Sequence, residues 1–185
     1  MALLFNYVAV LSAFALAGLL STSAVGASIA RYDDWELICP ATLDESAVAA
    51  RKIVKAHRSG RCRLQQAQAI GGRDVVFLFN VMMQKGELVA IISTPLNVYL
   101  PAGLDLSIDG GRHRRATFES CGLTGCHAGF ALRGSLLNGM RHGRTLAVTI
   151  NNSKEERLAI NVSLRGVTAG ISALTKTRRD GASNE

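Results

Sequence analysis

No charged residue occurs between Met1 and Ala30, and this absence divides the chain in two. Aromatic residues are also scarce, at 5% of the total with a single tryptophan. Proteins that grip single-stranded nucleic acid stack bases on aromatic rings. The net charge of +7 therefore lacks the other half of that signature, and nucleic acid is not the expected partner. No Cys-x-x-Cys occurs, which excludes a thioredoxin-like redox pair. No Gly-x-Ser-x-Gly occurs either. Arg133-Gly134-Ser135-Leu136 lacks the second glycine, so a nucleophile elbow is excluded. His57, His113, His127 and His142 are scattered rather than spaced as i, i+4 ligands, so no metal site is expected.

What is present begins with the uncharged leader. Its apolar stretch runs from Ala2 to about Leu20, followed by Ser21, Thr22, Ser23 and Ala24. Val25-Gly26-Ala27 offers a small-x-small cleavage site. Residues 1–27 are therefore expected to be a signal peptide, with Ser28 the mature N-terminus. Against this, a signal peptide normally starts with Lys or Arg, and none is here. An uncleaved anchor is the alternative, because about nineteen apolar residues can span a bilayer as a helix. The leader is the only expected membrane contact. All 21 Lys/Arg and 14 Asp/Glu lie beyond it, so the positive charge belongs to residues 28–185. That length suits one domain, with no internal repeat or linker to split it.

Past the leader, period-two alternation dominates. Trp35, Leu37 and Cys39 share one face of a first strand, and Cys62, Leu64 and Gln66 one face of a second. Val75 to Met83 is a nearly continuous apolar run, as a central strand covered on both faces requires. Leu88 to Ser93 follows the turn-like Gln84-Lys85-Gly86-Glu87 and predicts a hairpin. Leu104 to Ile108 alternates and ends at Asp109-Gly110-Gly111. Ala116 to Cys121 and Cys126 to Leu132 read as two further strands, and Thr145 to Asn151 with Arg157 to Leu164 as another hairpin. Helices are expected over Asp44 to Arg58 and Ser135 to His142, with a weakly helical stretch from Gly166 to about Leu174. A frayed tail follows from about residue 176. Many short strands and few helices predict a mainly β domain, an antiparallel sandwich or barrel-like fold.

Behind an export leader, thiols meet an oxidising compartment and form structural disulfides. Four cysteines allow three pairings. Sequence proximity favours Cys39 with Cys62 and Cys121 with Cys126. In a chain-entropy estimate the first bridge contributes roughly 3.5 kcal/mol and the second about 2 kcal/mol. A second reading takes Cys121, Cys126 and His127 as a haem-attachment or redox cluster, with His127 as axial ligand. Gly111-Arg112-His113-Arg114-Arg115 is the densest basic cluster. Arg112, His113, Arg114 and Arg115 could grip phosphate or carboxylate, or simply form a solvated turn. Asp105 and Asp109, around a strand end, read as solvent-facing and turn residues.

Several pieces together carry a family likeness. They are Trp35-Glu-Leu-Ile-Cys39, Cys62-Arg-Leu-Gln-Gln66, Pro101-Ala-Gly-Leu104 with Leu106-Ser-Ile-Asp-Gly110, Phe118-x-x-Cys121, Gly125-Cys126-x-Ala128 and Val162-Ser-Leu-Arg-Gly-Val167. In this order they resemble the invasion-associated locus B family of alphaproteobacteria, over about residues 32–174. The long segment from Asp44 to Gly60 and His127 depart from the pattern. The resemblance implies a small exported β protein of the periplasm or cell surface, linked in pathogens to host-cell invasion. It carries over no catalytic residue. No cofactor is expected. The expected function is a non-enzymatic envelope or surface module, binding anionic envelope or host-surface components.

Overall fold

The computed structural model describes residues 27–40, 62–69, 76–152 and 156–182. The leader before Ala27 and the helix expected over Asp44 to Arg58 lie outside the described residues. Eleven strands are described: β1 (Ser28–Tyr32), β2 (Trp35–Cys39), β3 (Arg63–Ala69), β4 (Val76–Gln84), β5 (Glu87–Thr94), β6 (Leu104–Ile108), β7 (Arg114–Ala116), β8 (Ser120–Gly122), β9 (Gly125–Ala131), β10 (Thr145–Asn151) and β11 (Arg157–Ser163). Two helices join them, α1 (Gly134–His142) and α2 (Val167–Ala182). A seven-stranded sheet has the order β1-β2-β3-β4-β5-β9-β8, and a four-stranded sheet the order β11-β10-β6-β7. Every strand pair is antiparallel. The sheets are open rather than closed into a barrel, which resolves the expected fold as a sandwich.

The alternation read in the sequence determines which side chains meet inside. Trp35, Leu37, Leu64, Phe77, Phe79, Val81, Ala90, Ile92 and Ala128 are buried on one face of the large sheet. Leu104, Leu106, Leu146, Val148, Ile150, Ile160 and Val162 are buried on the facing side of the small one. β4, the apolar run, is the central strand of the seven. The turn after it is tight because Lys85 and Gly86 both take positive φ, 48° and 93°. That pair of angles twists a two-residue hairpin in the same hand as its strands.

Two expectations are corrected. The single strand expected from Ala116 to Cys121 is broken, because the chain leaves the small sheet after β7 and joins the large one at β8. Alternation continues across the break, so nothing local marks the change of sheet. The C-terminal helix does not stop near Leu174 but continues to Ala182. No proline interrupts it, and each added residue gains a backbone hydrogen bond. Its buried Val167, Ile171 and Leu174 follow helical spacing, and Gly170 lets its backbone approach Leu64 closely. Strand β1 is not legible in the sequence because it is mostly exposed and shows no alternation of burial.

The two sheets are tied by polar groups around Ser163. The Trp35 indole N–H donates to the Ser163 carbonyl at 2.9 Å. The Gln66 amide donates to the same carbonyl and to the Asp34 carbonyl, both at 3.1 Å. Its own oxygen accepts from the Ser163 N–H at 3.0 Å. Gln68 donates to the Asn161 carbonyl at 2.6 Å. The outward backbone row of edge strand β11 is thus met by side chains of β2 and β3. Asp34 completes the knot, accepting from the Ser163 hydroxyl at 2.6 Å and pairing with Arg165 at 2.8 Å. Gly166 lets the following turn close on the β1–β2 turn. Its φ is 86°, and a Cβ there would lie 2.0 Å from the Tyr32 carbonyl oxygen.

Both disulfides are formed as sequence proximity favoured, Cys39–Cys62 with an S–S distance of 2.03 Å and Cys121–Cys126 with 2.10 Å. Cys39–Cys62 continues the β2–β3 ladder one step past Ile38↔Arg63. Cys121 and Cys126 are direct partners in the β8–β9 hairpin.

Replacing Gln66 with Leu should lower unfolding free energy by about 1–2 kcal/mol, because it leaves the half-buried Ser163 N–H without its partner. Urea denaturation at neutral pH measures this. A second prediction concerns acid. The Ser163 hydroxyl and then Arg165 hold the Asp34 carboxyl below its ordinary value of 3.8. Asp34 therefore contributes stability above that pH, and the contribution fades as pH falls through the lower native value. Urea midpoints at pH 7 and about pH 3 should differ less in Asp34→Asn than in the wild type.

Candidate functional site

β6 ends in a turn whose hinge is Asp109. Asp109 and Gly110 have φ of 49° and 70°, and Gly111 donates to the Ile108 carbonyl at 2.8 Å. The Asp109 carboxylate accepts the Thr145 N–H at 2.9 Å and the Arg144 N–H at 3.1 Å. These two backbone donors, Thr145 first, hold its carboxyl below the ordinary carboxylate range. Asp109 is thus a turn clamp, as the sequence suggested. It fixes where the returning arginines begin.

Strand alternation then divides the basic cluster. In β7, Arg114 lies opposite Leu106 and Arg115 opposite Asp105. Neighbours on a strand point to opposite faces. Arg115 accordingly pairs with Asp105 at 3.5 Å on the outer face. Arg114 shares the core-facing side with Leu106, at the open edge of the small sheet. There its guanidinium donates to the Ser135 hydroxyl at 2.7 Å. Arg112 joins it, and His113 is exposed outside this lining.

Helix α1 closes the other wall. Gly139 and Gly143 allow it to pass close over Ile108, where a Cβ would lie 2.8 Å and 2.5 Å from that side chain. Leu136 and Met140 are buried beneath it. The result is a groove of about 420 Å³ lined by Leu106, Ile108, Arg112, Arg114, Ser135, Leu136 and Gly139. Among the described residues no carboxylate pairs with Arg112 or Arg114. The first turn of α1 has no acidic residue and no side-chain cap. Two guanidiniums, a hydroxyl and an apolar floor can hold an anion that carries an apolar portion. The basic cluster was visible in the sequence. Ser135, Leu136 and Gly139, distant along the chain, were not.

The Cys121/Cys126/His127 reading is not supported. The two sulfurs are bonded to each other. His127 follows Cys126 on β9 and so points to the opposite face. There its Nδ1 meets the Ser93 hydroxyl at 2.9 Å, a contact no local motif announced. Ser93 and His127 are cross-strand partners of β5 and β9. The Glu119 carboxylate covers Gly129 on that face. Among the described residues, no cluster of His, Cys, Asp or Glu could hold a metal ion.

The fold and this arrangement can be set beside known proteins. The family model for the invasion associated locus B (IalB) protein matches residues 35–175, which begin at the tryptophan of the inter-sheet knot and end within α2. Invasion protein B homologs of Brucella abortus strain 2308 and of Brucella abortus biovar 1 strain 9-941 are each 27% identical. Each match covers 92% of this chain and 99% of the relative. The crystal structure of invasion associated protein B from Bartonella henselae superposes with a TM-score of 0.66 at 15% identity. That match covers 82% of this chain and 99% of the other. With the model matched from the Trp35 strand to the C-terminal helix and the same fold in a solved relative, the chain belongs to the invasion associated locus B family.

Proposed function

We propose that the protein is an exported, non-enzymatic binding module of the bacterial periplasm or cell surface. Its partners are anionic envelope or host-surface components. They are engaged in the groove between β6, β7 and α1. The observation that carries this reading is that two arginines, Arg112 and Arg114, converge on one groove with an apolar floor. Arg31, Arg115 and Arg165 are paired with Glu36, Asp105 and Asp34. Arg112 and Arg114 instead line a groove without a carboxylate partner among the described residues. The apolar floor selects ligands whose charged group is joined to hydrocarbon, as in lipid-like envelope components. Two disulfides and an uncharged apolar leader support export, since such bridges persist in oxidising compartments. The names of the Brucella and Bartonella relatives link them to invasion, and a contact with host surface is the counterpart here.

A long-chain carboxylate with a fluorescent tag, dansylaminoundecanoic acid, tests the groove. Enhancement of dansyl emission should saturate with the wild-type protein. The double variant Arg112→Ala with Arg114→Ala should weaken binding about tenfold or more, whereas Arg115→Ala should leave it nearly unchanged. Equal binding by all three proteins removes this groove as the site.

A further inference from the structure

At the end of the sandwich away from the groove, large apolar side chains stand in water. Leu96, Tyr99, Leu100, Leu123 and Leu158 are all exposed, Leu123 completely at 100%. They belong to three separate segments that the topology brings to one end. The β8–β9 hairpin carries Leu123 at its tip. Thr94 pairs with Cys126, and a Cβ on Gly125 would lie 2.1 Å from the Thr94 carbonyl oxygen, so this tip stands beside the start of the β5–β6 connection. That connection carries Leu96, Tyr99 and Leu100. It crosses to the small sheet, where Val98 bridges Asn152 and the Tyr99 N–H donates to the Asn151 carbonyl at 2.8 Å. Leu158, opposite Ile150, lies on β11 at the same end.

Exposed apolar residues in isolation need no explanation, but a cluster on separate segments at one pole does. Neither Pro95–Gly103 nor Cys121–Cys126 contains a single charged residue. The hairpin tip is also held in shape by its disulfide, so little ordering remains to be done on contact. From these observations we infer that this pole is a docking surface for an anionic phospholipid bilayer. Leu123 and Leu96 enter the acyl region, and Tyr99 sits at head-group depth.

A bilayer fits this surface better than a protein partner. Protruding side chains from several loops can each enter a fluid phase without a matching pocket. Buried charge, which a bilayer rejects, is missing from both loops. The chain as a whole carries +7, which draws it toward an anionic surface, while the exposed Arg157 and Glu156 at the rim of the pole balance one another. Glu156 also accepts from the Asn152 side chain at 2.8 Å. This contact is independent of the leader and of the arginine groove.

The test uses the full chain carrying Leu123→Trp. The substituted position is fully exposed, so the fold is undisturbed, and Trp35, with no exposed surface, serves as a constant background. Vesicles of phosphatidylcholine and phosphatidylglycerol in a ratio of about 7:3 are added while indole emission is recorded. A blue shift, quenched by lipids brominated on their acyl chains, is the expected result. It should weaken when phosphatidylglycerol is omitted. Adding Leu96→Ser to the Leu123→Trp chain should reduce the blue shift at a given lipid concentration, a readout that the leader does not carry. Emission that stays at the position of water-exposed indole overturns the inference. So does a blue shift that grows with protein concentration in the absence of lipid, which identifies a second copy as the occupant. The leader does not carry the reporter at the tip, and Arg112→Ala with Arg114→Ala should keep the blue shift, lowering only the lipid affinity through the loss of two positive charges.

Discussion

The backbone of Ser163 is where the two sheets are joined, and the placement of the whole small sheet depends on it. Its N–H and carbonyl lie on the outward row of an edge strand, where a neighbouring strand would ordinarily bind. Trp35 and Gln66 supply those partners from the other sheet instead. Apolar contact alone would let two twisted sheets slide over one another with small changes in energy. Directional bonds to one residue do not, because each displaced bond leaves a buried polar group without a partner. The indole also packs edge-on to Phe79, with centroids 5.7 Å apart, so the same residue serves the apolar core and the polar joint. β10 pairs with β11, β6 with β10 and β7 with β6. The position of Arg114 is therefore relayed, strand by strand, from Ser163.

The disulfides reinforce this frame at opposite ends of the large sheet. Cys39–Cys62 closes the end where β2 and β3 finish their ladder, and Cys121–Cys126 braces the hairpin at the other. Neither lines the groove. Sulfur here is structural, and the surface features with chemical character are built from arginine, serine and leucine. They are also segregated: cationic groups with an apolar floor beside α1, and uncharged apolar loops at the far pole.

The solved relative from Bartonella henselae keeps this architecture at 15% identity. Retention of a fold at that level is what period-two patterning allows. A strand needs an apolar residue at alternate positions, and many residues meet that need.

Local features were legible in the sequence because they depend on near neighbours. Alternation located most strands, Gln84 to Glu87 marked a hairpin, and Gly143 ended the helix that begins near Ser135. Proximity also selected the two cysteine pairs, since each joins strands adjacent in the ladder. Tertiary structure alone decided the rest. Which sheet a strand joins depends on pairing between distant segments, so the chain's transfer at Thr117–Glu119 left no mark in its pattern. The basic run Arg112 to Arg115 read as one cluster, yet Arg115 faces Asp105 and Arg114 faces Ser135 because adjacent strand residues point apart. His127 beside Cys126 suggested a common site, and the same rule sent them to opposite faces. Most strands and both staples were legible along the chain; the crossing of the sheets set which side chains meet, because only long-range hydrogen bonding sets register.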